Sequence, residues 1–148
     1  MRSQVSLVPP QMIDQVWPSV EKYLADSAEY TYGRYTVDDI KDTITDYDHH
    51  LWIAFNDSVV KGAVVTNIIT YPRKKCLSMV FCGGIDVREW RDQMIAMLQA
   101  WAFDNNCDSI ECTGRPGWAK ILANNGHKAV WHTFEIPAGE AGLGEKHG

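Results

Sequence analysis

The hydrophobic pattern in the middle of the chain changes from that of a strand to that of a helix and back. An apolar run, Leu77–Cys82, has the length of a buried strand, and Gly83-Gly84 after it predicts a break. Asp86 then stands where an N-cap would accept backbone N–H groups. Through Val87–Phe103 apolar residues recur at the helical period, namely Trp90, Met94, Met97, Leu98 and Trp101. A second strand, Asp108–Cys112, follows, so the stretch predicts a βαβ unit.

Before this unit the pattern predicts one short strand and two helices. Residues Gln4–Val8 alternate weakly and form the strand, which Pro9-Pro10 ends. A helix follows, and Pro18 inside its apolar pattern is expected to kink or split it. The apolar positions of that helix are Met12, Ile13, Val16, Val20, Tyr23 and Leu24. Thr36 is an N-cap candidate followed by acidic residues, which predicts a shorter helix ending near Tyr47.

Between the helices and the βαβ unit the period changes to two, which predicts an antiparallel hairpin. His50–Phe55 forms the first strand, Asn56–Ser58 the turn, and Val59–Tyr71 a longer strand rich in β-branched residues. Gly62 within the longer strand indicates a bulge or a close approach of another backbone. With the strand at Leu77, these segments predict a three-stranded meander.

The end of the chain predicts one more helix and one more strand. The helix begins near Pro116 and ends at Gly126, whose conformational freedom suits a C-cap. Its apolar face contains Trp118, Ile121 and Leu122. The closing strand is His127–Ile136, and residues 137–148, with four glycines, predict a flexible tail. We therefore expect a single domain over residues 1–136.

Composition and charge narrow the class of protein. The chain has 148 residues, 45% of them hydrophobic, and a formal net charge of -5, which argues against a nucleic-acid partner. The basic run Arg73–Lys75 is expected to be solvated at a turn. The sequence shows neither a secretory signal pattern nor an apolar stretch near the roughly 20 residues of a membrane helix. It therefore predicts a cytoplasmic protein without a membrane partner.

Cysteine and histidine spacing does not predict a metal site. The four cysteines lack the paired spacing of zinc ligands and are expected to be reduced; they are Cys76, Cys82, Cys107 and Cys112. His49 and His50 are adjacent on a strand, so their side chains point to opposite faces and chelate one ion poorly. The sequence favours solvated histidines at a strand end.

The element order resembles that of the GNAT superfamily of N-acetyltransferases. The segment Trp118-Ala-Lys-Ile-Leu-Ala-Asn-Asn-Gly-His127 is similar to the family's A-x-x-L-Y-x-x-x-G-F before its closing strand. Gly114-Arg-Pro-Gly-Trp118 also resembles GNAT-like proteins of tailed bacteriophages. The resemblance implies an α/β (α+β) fold: a mixed, mostly antiparallel, twisted sheet with helices on both faces. It also implies a splay between the Leu77 and Asp108 strands, where acetyl-CoA would lie.

The resemblance also implies which residues bind the cosubstrate. In the family, backbone N–H groups at the end of the first splayed strand hold the thioester and pantetheine, and a loop Q/R-x-x-G-x-G/A holds the pyrophosphate. Here Asp92 and Met94 occupy the glycine positions of that loop. Either the phosphates meet the earlier glycines and arginines, or acetyl-CoA does not bind. The implied contacts are Val80, Phe81, Cys82, Gly83, Gly84, Arg88 and Arg91.

The implied chemistry is proton transfer at the splay. The family's proton-donating tyrosine corresponds to Leu122, which cannot donate a proton. Candidate donors nearby are Ser78, Tyr71, Cys82 and Cys112. Glu111 is the candidate base, although its alternation with Ile110 and Cys112 is also consistent with a solvated side chain.

Two functions follow from the resemblance. The first is an acetyl-CoA-dependent N-acetyltransferase acting by direct attack of a small-molecule or protein amine. The alternative is a catalytically inactive GNAT-like binding or assembly protein, in a bacteriophage for example. Tyr30, Tyr32 and Tyr35 occupy the family's acceptor-binding loop, where they line a substrate groove or cover the edge of the core. A homodimer is compatible with either function.

Overall fold

We describe a computed structural model of residues 3–46, 48–113, 126–127 and 133–139. The chain divides into two units, Met1–Arg115 and Pro116–Gly148. The described elements all lie in the first unit. They are β1 (Gln4–Leu7), α1 (Ile13–Glu29), α2 (Val37–Asp46), β2 (His50–Asn56), β3 (Val59–Thr70), β4 (Lys75–Gly84), α3 (Arg91–Asp104) and β5 (Ser109–Cys112), with 3-10 turns at Pro10–Met12 and Val87–Glu89.

Only short parts of the second unit are described. Gly126 has φ +84°, in the left-handed region expected of a C-cap glycine. Residues 133–136, the end of the predicted closing strand, have no regular secondary structure, and Phe134 and Ile136 are exposed. The predicted helix at Trp118, the rest of that strand and most of the predicted tail lie outside the described residues, so the single-domain boundary stays a prediction.

The five strands form one open sheet in chain order, β1 to β5. Neighbours β1 to β4 are antiparallel, whereas β5 is parallel to β4. Since α3 connects these two parallel strands, the predicted βαβ unit is confirmed. The mixed, mostly antiparallel sheet predicted from the sequence is likewise confirmed.

Two hydrophobic cores lie on opposite faces of the sheet, because successive side chains along each strand point to alternate faces. One core forms beneath α1 and α2; among its members are Trp17, Val20, Leu24, Ile40, Ile44, Val65 and Phe81. We call this side of the sheet the α1 face. The other forms beneath α3, on what we call the α3 face; it contains Trp52, Val64, Leu77, Met79, Trp90, Met94 and Leu98.

The N-terminal helices follow the sequence pattern except at Pro18. Helix α1 runs through Pro18 as one element, so the predicted split is wrong. The proline lies near the N-terminus of the helix and removes one backbone donor, while Trp17 and Val20 beside it are buried. Helix α2 is capped as predicted: the Thr36 hydroxyl accepts from the Asp39 N–H at 3.2 Å, and the Asp39 carboxylate accepts from the Thr36 N–H at 2.9 Å.

Strand β4 does not break where the sequence predicts. It continues through Gly83 and Gly84, which pair with Ala63 and Gly62 of β3. A Cβ atom at Gly83 would collide with the backbone carbonyl of Tyr23 in α1. The glycine at position 83 therefore permits close helix–sheet packing rather than a turn.

Trp90 covers a pair of facing glycines. Gly62 and Gly84 are opposite each other, and a Cβ atom at either would overlap the Trp90 indole. The indole N–H donates to the carbonyl of Ile85 at 2.9 Å, and Trp90 is 1% exposed. The predicted bulge at Gly62 is confirmed, because the β2–β3 register shifts beside it, but the group that approaches this glycine closely is the Trp90 side chain rather than another backbone.

The start of α3 also differs from the prediction. A 3-10 turn precedes the helix, and Asp86 takes a left-handed conformation without a side-chain capping bond. Its carboxylate instead accepts from the Lys61 ammonium at 2.9 Å. Met94 and Leu98 are buried as predicted, whereas Met97 is 40% exposed and Trp101 is half-buried. The apolar stripe is therefore narrower than the sequence suggested.

His50 is not the solvated histidine that the sequence favoured. Its ring packs on Trp101 with centroids 4.7 Å apart, and Nδ1 lies 3.0 Å from the Thr66 hydroxyl. That hydroxyl accepts from the Trp52 indole N–H at 2.9 Å, so its own proton can go to a neutral imidazole. Burial, with His49 nearby, lowers the pKa of His50, and Asp48 only partly opposes this. The fold therefore favours the neutral ring.

We expect His50 to make stability fall on acidification. Because its folded pKa lies below the unfolded value near 6.5, the unfolded chain binds more protons as pH falls through 6.5 toward the folded pKa. This group contributes at most about 1.4 kcal/mol per pH unit. Urea unfolding at pH 7.5 and 5.0 should show a smaller loss for His50→Gln than for the unmodified chain. His49→Gln removes the smaller cause of the lowered pKa and leaves the burial, so it should retain most of the loss; equal slopes for both variants would contradict the assignment.

Candidate active site

The paired segment of β4 and β5 ends beside an irregularity in β4. The parallel pairing runs from Cys76–Ser109 to Met79–Cys112, although β4 continues to Gly84. On the other side of β4 the register shifts at the same place: Phe81 pairs with Val65 and Met79 with Thr66, which leaves Val80 without a partner in β3. A bulge re-aims backbone groups and commonly accompanies binding sites.

Polar side chains line the α1 face beside this bulge. Asn67 of β3 is opposite Ser78 of β4, and Ser78 is opposite Glu111 of β5. The intervening positions, Leu77 and Ile110 among them, pack on the α3 face, so the three polar residues share the other face. Ser78 is only 3% exposed, whereas Glu111 is half-buried. The two residues predicted from the sequence are therefore neighbours.

Tyr71 completes this polar group. It lies just after β3, in the turn to β4, and its hydroxyl donates to Oε1 of Glu111 at 2.7 Å. That hydrogen bond is the main reason why the pKa of Tyr71 rises to about 12, so its hydroxyl stays protonated at neutral pH. The sequence nominated Tyr71 as a donor but could not pair it with Glu111, because the contact depends on strand register. Glu111 is therefore half-buried and hydrogen-bonded, with part of its surface still facing solvent.

Two of the candidate proton donors lie on the opposite face. Cys82 and Cys112 pack against the α3 core, away from Ser78 and Glu111. Burial raises the pKa of the Cys112 thiol to about 11. The thiolate is thus disfavoured, as expected for a cysteine that packs as a small hydrophobe.

A cleft of about 350 Å³ opens where α1 ends and α2 begins. It is lined by Ala25, Ala28, Glu29, Gly33, Tyr35, Thr36 and Val37. Tyr35 lines this cleft and packs edge-on against Phe81 with centroids 5.0 Å apart, so it covers the edge of the core, while a role in a substrate groove stays a prediction. Tyr30 and Tyr32 are 48% and 75% exposed. The cleft and the β4 bulge are linked through Phe81, which follows Val80.

The residues expected to bind phosphates lie between the end of β4 and the start of α3. Arg88 is exposed on the 3-10 turn, whereas the Arg91 guanidinium donates to the Asp92 carboxylate at 3.2 Å. The first turn of α3 has backbone N–H groups without helical partners, as at any helix start. Gly83 and Gly84 contact α1, β3 and Trp90, as described above. Both glycines belong to strand β4, and their contact with phosphate stays a prediction.

Among residues 3–46, 48–113, 126–127 and 133–139, no group of histidine, cysteine or acidic side chains is arranged to hold a metal ion. None of the helices in the same ranges has the length and hydropathy needed to cross a bilayer.

Solved structures share this architecture. No protein-family model matches the sequence, and comparison with curated proteins finds no match. AAC(6')-Iy, an aminoglycoside N-acetyltransferase in complex with CoA, superposes with a TM-score of 0.65 at 15% identity, over 91% of this chain and 93% of that chain. A ribosomal-protein-alanine N-acetyltransferase from Brucella melitensis has a TM-score of 0.68 at 13% identity, over 90% and 98%.

A third solved structure with the same fold is not named as an acetyltransferase. A transcriptional regulator from Bacillus halodurans C-125 superposes with a TM-score of 0.65 at 16% identity, over 91% of this chain and 99% of that chain. At such identities the likeness establishes the fold, and function depends on the site. The bacteriophage origin, the cytoplasmic location and a homodimer stay predictions. The fold itself is settled: this chain has the fold of the GNAT N-acetyltransferases, as the resemblance in its sequence implied.

Proposed function

We propose that the protein is an N-acetyltransferase that transfers an acetyl group from acetyl-CoA to an amine. One observation carries the proposal: Ser78 and Glu111 are adjacent on the α1 face, beside the point where β4–β5 pairing ends and β4 bulges at Val80. In a GNAT fold this point is where the thioester would lie. The catalytic assignments below are inferences from that arrangement.

The bulge fits the thioester end of acetyl-CoA. Val80 lacks a partner in β3, and among the described residues none pairs with the β5 side of β4 beyond Met79, so this edge of the backbone would be available for a ligand. Val80, Phe81 and Cys82 would hold pantetheine and polarise the thioester carbonyl through backbone N–H groups. The Cys82 N–H donates to the Ser27 hydroxyl at 3.3 Å, a bond that a ligand could replace. Acetyl-CoA supplies an acetyl group already activated as a thioester.

Glu111 would act as the base. Attack on a carbonyl needs the lone pair of an unprotonated amine, and the nitrogen loses one proton once the C–N bond has formed; a carboxylate within reach of that nitrogen can accept it. Ser78, opposite Glu111, would return a proton to the leaving sulfur. Its hydroxyl would be reprotonated by Glu111, so the proton taken from the amine ends on the thiol. This exchange needs no oxidant or metal.

The charge distribution favours a cationic acceptor. Residues 26–48 include seven acidic and two basic side chains, so this segment alone accounts for the formal net charge of -5. It contains the end of α1, the cleft at Tyr35 and helix α2. Lys41, one of the two basic residues, pairs with Asp14 at 3.2 Å. A small-molecule or protein amine that carries several positive charges fits such a surface.

Two measurements test the proposal, first the binding of acetyl-CoA and then the transfer of its acetyl group. Titration calorimetry should detect acetyl-CoA binding, and release of free thiol should accompany acetyl transfer to an amine from a panel of polyamines, aminoglycosides and basic peptides. We expect a weak complex, with a Kd of tens of micromolar or about 6 kcal/mol. Absence of heat and of a thermal shift at millimolar acetyl-CoA would rule out the enzyme and leave a GNAT-shaped binding or assembly protein.

Salt and arginine substitutions test the phosphate contacts. If Arg88 and Arg91 bind the phosphates, affinity should fall as salt rises, because exposed charge pairs are screened. The double variant Arg88→Ala/Arg91→Ala should weaken binding at least about tenfold, since hydrogen bonds to charged groups are worth roughly 1.5–3 kcal/mol each. The control, Arg73→Ala/Lys74→Ala, removes two charges from the β3–β4 turn and should bind normally. Tight, salt-insensitive binding would place the phosphates elsewhere.

A further inference from the structure

Tyr71 connects the β3–β4 turn to the candidate base on β5. Its backbone N–H donates to the Lys74 carbonyl at 2.7 Å, which closes the turn. Its hydroxyl donates to Oε1 of Glu111 at 2.7 Å, a contact between residues 40 positions apart in sequence. Strand β4 lies between the two elements that carry these residues. The tyrosine is therefore anchored at its backbone and reaches across a neighbouring strand.

A glutamate on a short strand needs such a partner if its carboxylate is to have one orientation. The Glu111 side chain has several rotatable bonds, and β5 is only four residues long. A phenol is rigid, and a hydrogen bond to a carboxylate is among the stronger neutral–charged contacts. Fixing Oε1 leaves Oε2 as the oxygen that can accept a proton. Because the pKa of Tyr71 is about 12, this donor persists throughout the physiological pH range.

We infer that Tyr71 is a positioning residue, which holds Oε1 of Glu111 so that Oε2 faces the amine of the acceptor. The inference rests on the proposed function, because it assigns Tyr71 a role only through Glu111. A purely structural role, in which Tyr71 stabilises the turn and no more, is the competing account. The two accounts differ in one expectation. If Tyr71 positions Glu111, removing the Tyr71 hydroxyl lowers the rate only when residue 111 is a glutamate; if Tyr71 is structural, the loss is the same without the carboxylate.

A double-mutant cycle separates these accounts. Steady-state acetyl transfer is measured for the unmodified chain, Tyr71→Phe, Glu111→Gln and the double variant. We expect Tyr71→Phe to lower kcat about tenfold while the KM for acetyl-CoA stays within about twofold, because effective catalysis depends on orientation. In the Glu111→Gln background the same change should alter kcat less than about twofold, since coupled residues are not additive. Tyr23→Phe, which removes a hydroxyl bound to the Val60 carbonyl at 2.9 Å, should leave kcat unchanged.

The outcomes distinguish failure of this inference from failure of the proposed function. An unmodified chain without acetyl transfer overturns both. An active chain in which Tyr71→Phe has normal kcat, or lowers kcat equally in both Glu111 backgrounds, overturns the positioning role alone. Normal activity of Glu111→Gln also overturns it, while leaving the protein an acetyltransferase with a different base. Circular dichroism and thermal unfolding of each variant ensure that the comparison is between folded proteins.

Discussion

Glu111→Gln is expected to lower kcat/KM for acetyl transfer by about 10²- to 10⁴-fold, the usual contribution of a general base. Glutamine keeps the shape of the side chain and can still accept the Tyr71 hydrogen bond, but it cannot take a proton from an amine. The change therefore tests proton transfer rather than packing. Initial rates of thiol release over a range of acceptor concentrations measure it.

The matched control for this variant is Glu21→Gln. Glu21 also accepts a hydrogen bond from an aromatic side chain, the Trp17 indole N–H at 3.0 Å, but it is exposed on α1 and does not belong to the polar group at Ser78. Its substitution should change kcat/KM less than about twofold, as most surface substitutions do little. If both glutamine variants were equally active, Glu111 would not be the base. Binding of acetyl-CoA should be the same in both.

Leu98→Ala is expected to reduce the free energy of unfolding by about 2–5 kcal/mol, the range for large-to-small changes in a core. Leu98 has no exposed surface and packs with Trp52, Met94 and Trp90 between α3 and the sheet. Removing its methyl groups loses their burial and leaves a cavity that a rigid sheet cannot close. Urea unfolding followed by circular dichroism gives the change.

Met97, the residue before Leu98, supplies the control for Leu98→Ala. Met97→Ala removes a similar volume from the same turn of α3, where the side chain is 40% exposed. Alanine has the higher helix propensity, so we expect a loss below about 1 kcal/mol. A loss as large as that of Leu98→Ala would mean that Met97 is covered by another part of the protein.

The sequence predicted the elements of the described region well, because both cores consist of residues at regular spacing. Met94 and Leu98 on α3 and Val64 on β3 show the helical and strand periods directly. Met97 was misjudged because the spacing of five apolar residues does not tell how many of them the sheet covers. That number depends on how α3 packs on the sheet. Gly83 was misjudged because a glycine looks alike in sequence whether it permits a turn or close packing.

The candidate site was predictable only in part. Ser78 and Glu111 came from the family resemblance, and their adjacency follows from a register that no local pattern encodes. The bulge at Val80 is equally hidden, since it arises from how β3 and β4 pair. The Tyr71 contact requires both that register and the turn at Lys74. The hydrophobic period of the sequence predicts which residues are buried, but not which strands pair or in which register.

The stacking of Trp90 on the facing glycines constrains how this sequence can diverge. Positions 62 and 90 share one volume, because a Cβ atom on Gly62 would occupy the space of the Trp90 indole, whereas a Cβ atom on Gly84 would also collide with the backbone of Lys61 and Gly62. Substitution at either glycine alone should be disfavoured, and a smaller residue at 90 would make room for a side chain at position 62 but not at position 84. In an alignment of related chains, positions 62 and 90 should therefore change together, whereas position 84 should stay glycine. Joint variation of positions 62 and 90 would reveal the contact between β3 and the residue before α3 without a structure.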